Sequence, residues 1–184
     1  MQMKYLIISD IHGSPVYLKQ CLDIFKKDGY DFILILGDIL YHGPRNRLTD
    51  GYDPSTVVEL LNEVSDKIIA ARGNCDAEVD QMLLDFPCQS DYSLVVDGDV
   101  QLFLTHGHVY DHYNFPIKDK TRKQVFLSGH THIWVLDKIG NLTICNPGSI
   151  TLPKGGNPNT YATYIDGHIA IHDFEGNIVA EADV

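Results

Sequence analysis

Five short polar signatures, most of them placed directly after a run of β-forming apolar residues, constrain this chain more than any other feature. They are, in chain order, Ser9-Asp10-Ile11-His12, Leu36-Gly37-Asp38, Arg72-Gly73-Asn74-Cys75-Asp76, Thr105-His106-Gly107-His108 and Gly129-His130-Thr131-His132. Asp, Asn and His are costly to desolvate at the end of a buried strand unless something compensates them, and a bound cation does so. The pattern therefore predicts strand ends that meet around a shared point rich in oxygen and nitrogen ligands.

The first third of the chain is typical of a βαβ unit. Residues 5–8 and 32–36 are continuous apolar runs, as expected for strands covered on both faces. Between them, Ser14 is a candidate N-cap and Pro15 suits the first helical position. We therefore predict a helix over residues 16–27 that connects two parallel strands.

The next part of the chain continues the helix and strand alternation after a long connection. Residues 39–53 have no periodicity, and a connection of that length usually marks a binding loop. Helices are predicted over residues 54–64 and 77–86, with a third strand over 67–71 between them.

From residue 92 onward, hairpins replace the helical pattern. Gly-containing turns at 97–98, 140–141 and 166–167 each separate two β-forming segments. Helices in the first half and hairpins in the second fit an α/β fold with two mixed sheets packed face to face and helices outside. No linker or repeat interrupts the pattern, so a single domain over residues 1–184 is expected.

Composition excludes some functions. The net charge of −11 argues against a broad nucleic-acid or membrane-binding face, although a small phosphate ester can still bind through cations. No apolar stretch approaches the roughly 18 residues of a membrane span, and no signal peptide precedes the first strand. The four cysteines show neither CxxC spacing nor a dense framework, which favours a reduced, cytoplasmic protein.

Seven side chains are candidate metal ligands. They are Asp10, His12, Asp38, Asn74, His106, His130 and His132. Carboxylate, amide and imidazole groups without thiolate suit Mn, Fe, Zn, Co or Ni. Seven ligands exceed the needs of one tetrahedral ion but suit two ions that share a carboxylate and clamp a phosphoryl group.

The alternative is that each residue is a capping Asp or an ordinary core or surface His. That alternative is favoured for any one of them, whereas the ordered set argues for a metallohydrolase. One residue separates Asp10 from His12, and one separates His130 from His132. In extended backbone the two side chains of each pair would therefore point to the same side.

The motif order DxH, GD, GNxD, HGH, GHTH resembles the calcineurin-like metallophosphoesterase superfamily over essentially the whole chain. Residues 40–46, 146–149 and 153–158 are also similar to the YfcE-type group of bacterial phosphodiesterases. The resemblance implies a four-layer αββα sandwich and hydrolysis of phosphoesters by a metal-bridging hydroxide. It also implies manganese or a similar divalent ion, and often a homodimer or homotetramer.

The same resemblance assigns ligands to two ions. The first ion would be held by Asp10, His12, Asp38 and His132. The second would be held by Asp38, Asn74, His106 and His130, with Asp38 bridging. Asp38, Asn74 and His106 would thus be catalytic through metal binding.

Cys75 departs from the family pattern. Many members have His after the Asn, and that His can bind the phosphoryl group and protonate the leaving oxygen. A thiol has a reference pKa of about 8.5, and neighbouring cations would lower it. An ionised Cys75 cannot donate a proton, so slow turnover is expected except with good leaving groups. The alternative is that Cys75 is a small filler beside the site.

Other residues are candidates for supporting roles. His42, Arg45 and Asn46 come from the long loop and would bind phosphate, unless the loop is merely solvated. His108 is a candidate substrate contact. Asp76 is expected to orient a neighbouring ligand, as outer-shell carboxylates commonly do.

These observations predict a dinuclear metal-dependent phosphodiesterase acting on a small diester. One rival is a phosphomonoesterase or nucleotidase on the same metals. The other is a non-catalytic scaffold of the same fold, which the complete ligand set argues against.

Overall fold

The computed structural model of the protein describes residues 3–119 and 121–184. Its strands are β1 (Lys4–Ile8), β2 (Phe32–Ile35), β3 (Ile68–Ala70), β4 (Tyr92–Asp97), β5 (Val100–Thr105), β6 (Lys123–Leu127), β7 (Val135–Ile139), β8 (Leu142–Asn146), β9 (Thr160–Ile165), β10 (His168–Asp173) and β11 (Ile178–Asp183). Within the described ranges, the α-helices are α1 (Pro15–Asp28) and α2 (Pro54–Asn62), and 3-10 turns occupy Ser65–Lys67 and Asp80–Met82.

A six-stranded mixed sheet carries both α-helices. Its strand order is β11-β10-β9-β1-β2-β3, with β1, β2 and β3 parallel and β9 antiparallel to β1. Leu6 and Ile8 of β1 face the helices and pack with Leu18 of α1, whereas Ile7 faces the opposite side. The strand is therefore buried on both faces, as its continuous apolar run predicted.

A five-stranded mixed sheet covers the other face of the first sheet. Its order is β4-β5-β6-β8-β7, and β5, β6 and β8 are parallel. The edge strand β4 forms a hairpin with β5, and the edge strand β7 forms one with β8. Leu102 and Leu104 of β5 enter the core between the sheets, whereas Phe103 points outward and packs with Phe115 and Phe126. The predicted face-to-face packing of two mixed sheets is confirmed.

The layers outside the two sheets differ from each other. Both α-helices described lie on the six-stranded sheet. The outer face of the five-stranded sheet is instead covered by irregular chain that contributes Phe115 and Tyr110 to an aromatic cluster. The α/β sandwich class holds, with irregular chain forming this outer layer.

The helix predicted over residues 77–86 is wrong, because only the 3-10 turn Asp80–Met82 forms there. The Asp80 carboxylate accepts the N–H of Ala77 at 2.9 Å, and the Gln81 amide donates to the carbonyls of Leu84 and Phe86. These bonds satisfy groups at the ends of the segment, whereas the N–H of Asp85, which a helix through residue 86 would pair with the carbonyl of Gln81, donates to Asn62 Oδ1 at 2.9 Å.

The topology brings the five polar signatures together. Each follows the carboxyl end of a parallel strand, namely β1, β2, β3, β5 and β6. In open α/β sheets, ligands bind in the crevice outside these ends. In the part of the chain that the structure describes, no helix has the length and apolar character needed to cross a membrane.

Candidate metal centre

Three buried side chains form the first half of the centre. Asp10 Oδ1 lies 3.3 Å from His132 Nε2 and 3.6 Å from His12 Nε2. The two imidazole Nε2 atoms are 3.2 Å apart. The exposure of all three residues is 3% or less, so water does not compensate these atoms.

Asp38 connects this group to a second one. Its Oδ2 lies 3.6 Å from His12 Nε2 and 3.4 Å from His106 Nε2. His106 Nε2 is in turn 3.1 Å from the side-chain oxygen of Asn74. One carboxylate oxygen therefore stands between two sets of ligand atoms, which is the geometry that a shared ligand requires.

The three buried histidines are held in the orientation that metal ligands need. The Nδ1 atoms of His12, His106 and His132 lie 2.8, 2.7 and 2.6 Å from backbone carbonyl oxygens. A carbonyl can only accept, so each Nδ1 carries the proton. When Nε2 loses its proton, each ring presents an Nε2 lone pair to the centre.

These residues fit a divalent cation. Asp10 Oδ1 is buried and has no hydrogen-bond partner among the described residues. The Nε2 atoms of His12 and His132 face each other as two acceptors in the neutral state. Because unpaired buried polar atoms are costly, a cation among them would compensate the set. Oxygen and imidazole ligands of this kind suit first-row transition metals.

The charges of the predicted ligands shift one another's pKa values. Burial alone would lower the pKa of His106, but the Asp38 and Asp10 carboxylates raise it to about 9. Burial alone would raise the pKa of Asp38, but the hydrogen bond and charge of His106 hold it below its usual value. Protons and cations therefore compete for the same site.

The backbone of the ligands differs from the sequence expectation. Five predicted ligands adopt positive φ, with values of 55° at Asp10, 47° at His12, 56° at Asp38, 70° at His130 and 60° at His132. The expectation of extended backbone at these pairs is wrong. Left-handed backbone at a non-glycine residue is costly and concentrates at functional sites, where surrounding structure enforces it.

Two glycines allow the backbone to approach the centre closely. A Cβ at Gly73 would overlap the carboxylate and backbone nitrogen of Asp38, and a Cβ at Gly129 would overlap the Ser9 hydroxyl. Any larger residue at either position would displace a loop that carries a predicted ligand.

Asp76 fixes the relative position of two of these loops. Its Oδ2 accepts the N–H groups of Asp38 at 2.9 Å and Gly73 at 2.7 Å, and its Oδ1 accepts the N–H of Ile39 at 2.7 Å. Burial raises the pKa of Asp76 to about 6, against the opposing effect of these hydrogen bonds. The residue thus orients the backbone of Asp38 rather than a histidine ring.

Polar groups that sequence reasoning missed support the same loops. Ser9 donates to Asp10 Oδ2 at 2.7 Å, and Ser149 donates to the Asp10 carbonyl at 2.8 Å. The Asn146 amide donates to the carbonyl of Gly129 at 2.8 Å. A usable signal was present, since Asn146 is a polar residue at the end of the buried strand β8.

His130 and His108 stand beside the carboxylate cluster. The His130 ring is half-buried, 5.1 Å from the His106 ring, while its backbone N–H donates to Asp10 Oδ2 at 3.0 Å. The His108 ring is 5.4 Å from that of His106, and its Nδ1 is buried without a partner among the described residues. Burial, followed by the charge of His106, lowers the pKa of both rings and so favours their neutral forms.

Cys75 lies at the centre, but the protein's own charges oppose its ionisation. Its backbone N–H donates to Asp38 Oδ1 at 2.8 Å, and its Sγ can join His12 and Asp38 around one point. Burial, followed by the charges of Asp38 and Asp76, raises the pKa of the thiol to about 12. The thiolate expected from the sequence is thus disfavoured by the residues around it.

An open cleft of about 850 Å³ leads to this centre. Arg45 and Asn46, the predicted phosphate contacts, line the cleft together with Lys154. The His42 ring instead packs against Tyr41 and Tyr52 at 4.7 and 5.3 Å and does not line the cleft.

Comparison with known proteins agrees with the geometry. Residues 3–165 match the calcineurin-like phosphoesterase superfamily domain. The chain is 48% identical over 159 residues to the phosphodiesterase YfcE of Escherichia coli K12, covering 86% of this chain and 85% of the relative. A phosphodiesterase of Methanocaldococcus jannaschii is 26% identical over 152 residues, covering 79% and 83%.

A solved structure gives the same result. The structure of the E. coli phosphoesterase Yfce superposes with a TM-score of 0.94 at 43% identity, covering 99% of this chain and 100% of that one. By sequence and by structure, the chain belongs to the calcineurin-like phosphoesterase superfamily.

Proposed function

We propose that this phosphoesterase is a phosphodiesterase that uses two divalent metal ions to hydrolyse a small phosphodiester. The observation that carries the proposal is the position of Asp38 Oδ2 between His12 Nε2 and His106 Nε2, at 3.6 and 3.4 Å. One shared carboxylate between two imidazole groups is what a pair of ions requires. The relatives named phosphodiesterases support the same reaction.

We assign the ligands to two ions around Asp38. Asp10, His12, Asp38 and His132 would hold one ion, and Asp38, Asn74, His106 and His130 the other. His130 is the least constrained, because its ring lies at the cleft wall rather than against a carboxylate. Manganese is the proposed metal, and zinc, iron, cobalt or nickel would suit the same ligands.

When bound, the ions supply Lewis acidity that activates water and neutralises charge on the phosphoryl oxygens. The chain's own residues orient the substrate. Arg45 and Asn46 reach the cleft from the long loop, and Arg45 offers a planar fork for non-bridging oxygens. His108 stands near His106 and is a further candidate contact.

A diester is favoured over a monoester because the cleft, which adjoins a second cavity, is large. Its volume of about 850 Å³ leaves room for groups on both sides of a phosphoryl centre. The protein is proposed to be cytoplasmic, since all four cysteines are free. A homodimer or homotetramer remains a prediction that sedimentation analysis would test.

Hydrolysis of bis(p-nitrophenyl) phosphate and p-nitrophenyl phosphate, compared at equal concentration with each candidate metal, tests the proposal. We expect faster hydrolysis of the diester, loss of activity with a chelator and recovery with metal. Faster hydrolysis of the monoester would replace the proposal by a phosphomonoesterase or nucleotidase. Metal-loaded protein that hydrolyses neither compound would be a non-catalytic scaffold.

A further inference from the structure

A second cavity of about 460 Å³ adjoins the cleft. The two spaces share Arg45, Asn46 and Lys154 as a common wall. This second cavity, which we call the side cavity, is also lined by Arg47 and Asp50, and it extends to Ser14 and Val16 at the start of α1. Its size is in the range of pockets that hold small organic groups.

The charge of the side cavity contrasts with the rest of the protein. Three of its lining side chains are cationic and one is anionic, whereas the whole chain carries a net charge of −11. The side cavity also adjoins the N-terminus of the 14-residue helix α1, where the helix dipole favours negative charge. An acidic protein thus keeps a local cationic wall beside its active centre.

The arginines of this wall have no side-chain partner among the residues that the structure describes. The chain has four arginines, of which Arg72 pairs with Asp91 and Arg122 with Asp119. In residues 3–119 and 121–184, Arg45 and Arg47 form neither an ion pair nor a side-chain hydrogen bond. Unpaired guanidinium groups at a cavity wall are available to bind a carboxylate or phosphate bidentately.

Backbone contacts connect the side cavity rigidly to the metal centre. His132 Nδ1 donates to the carbonyl of Leu152 at 2.6 Å, and the N–H of Lys154 donates to the carbonyl of His132 at 3.0 Å. Leu152 and Lys154 both line the side cavity. A group seated there is therefore held at a fixed offset from a predicted ligand of the first ion.

We propose that the side cavity binds a second anionic group of the substrate, so that the preferred substrate is a diester whose one ester arm ends in a phosphate or carboxylate. This inference rests on the proposed phosphodiesterase activity and specifies its substrate class. Arg47 is the specificity-determining residue, because it lines the side cavity without lining the cleft.

Three synthetic diesters with the same leaving group test this proposal. They are p-nitrophenyl phosphodiesters whose second arm is propyl, 3-phosphopropyl or 3-carboxypropyl. The bond broken is the same in all three, so differences in kcat/KM report recognition of the arm. We expect about a tenfold or greater preference for an anionic arm, the effect of one charge-assisted hydrogen bond. Comparing the phosphate and carboxylate arms identifies which anion is favoured.

Two substitutions test whether the preference for an anionic arm arises in the side cavity. Arg47→Gln should lower the ratio of kcat/KM for the anionic-arm substrates to kcat/KM for the propyl substrate about tenfold. Lys27→Gln removes the same charge from the last turn of α1, at the opposite end of that helix from the side cavity, and should leave this ratio unchanged. Raising the salt concentration should reduce the preference in the wild type and have less effect in Arg47→Gln.

The outcomes separate the two proposals. Hydrolysis of all three diesters with equal kcat/KM, or a preference that Arg47→Gln leaves intact, overturns the side-cavity proposal while the phosphodiesterase proposal stands. A metal-loaded protein that hydrolyses none of the diesters overturns both.

Discussion

The substitution Asp76→Asn tests how the two ligand loops are held together. Asp76 accepts three backbone N–H groups with two carboxylate oxygens, those of Asp38, Gly73 and Ile39, at 2.7 to 2.9 Å. Asn has a single acceptor oxygen, so its NH₂ group must face at least one of these donors. A buried N–H without an acceptor costs about 1–3 kcal/mol, and hydrogen bonds to a charged acceptor contribute about 1.5–3 kcal/mol.

Part of this loss is offset, because burial raises the pKa of Asp76 to about 6 and Asn carries no charge to desolvate. We therefore expect the free energy of unfolding to fall by about 1–3 kcal/mol. Metal affinity should fall about 10- to 100-fold, a free-energy change of similar size, because Asp38 and the loop of Asn74 lose their common anchor.

The pH dependence gives an independent check on the same residue. The pKa of about 6 in the folded state lies above the ordinary value of an Asp carboxyl, which means that the folded state binds this proton more tightly than the unfolded state does. Its contribution to stability is therefore fully present below about pH 4 and is lost as pH rises through about 6. In metal-free protein, the stability advantage of the wild type over Asp76→Asn should shrink over this range.

Asp80→Asn is the matched control. Asp80 is also buried and accepts a backbone N–H, that of Ala77 at 2.9 Å, but it accepts no N–H from Asp38 or Gly73. Denaturant unfolding and calorimetric metal titration of both variants separate positioning from general destabilisation. The reasoning would be refuted if Asp76→Asn bound metal like the wild type, or if Asp80→Asn lost as much affinity.

Three further perturbations address the site. Gly73→Ala should lower kcat about 100-fold, because its Cβ overlaps Asp38. The control Gly98→Ala, in an open hairpin turn, should leave kcat unchanged, and an equal loss of kcat in both variants would contradict this. Neither a thiol whose pKa the surrounding residues raise to about 12 nor a thiolate favoured by bound cations is an effective proton donor. Rates for aryl diesters should therefore fall steeply as leaving-group pKa rises, and a flat plot would implicate Cys75 or another acid. The pKa of His106 of about 9 predicts that metal binding at pH 7 releases protons and that metal affinity rises with pH. Calorimetry in buffers of different ionisation enthalpy should detect the released protons, and binding without proton release would contradict the prediction.

Much of the fold could be predicted from residue patterns. Continuous apolar runs predicted the buried parallel strands β1 and β2, and Gly-containing turns predicted three hairpins that the structure contains. Residues 77–86 could not be predicted by periodicity, because the Asn62 side chain of α2 accepts the N–H of Asp85 and donates to the carbonyl of Leu83. Such competition depends on three-dimensional placement that apolar spacing does not report.

The site was predictable by residue type but not by conformation. Asp10, His12 and Asp38 converge as expected, yet each adopts left-handed backbone, which a spacing of two residues cannot indicate. The position of His42 also depends on its aromatic neighbours rather than on the loop composition. The side cavity could not be predicted from the sequence, because residues 45–47 and 151–154, which line it, are far apart in the chain.

Metal stoichiometry by elemental analysis, on wild type and Asp38→Ala dialysed with manganese, tests the central claim most directly. We predict two ions per wild-type chain and at most one in Asp38→Ala, with both retained in the exposed-site control Asp23→Ala. A wild type that binds one ion or none, or an Asp38→Ala variant that keeps two, would contradict a shared carboxylate between paired cations.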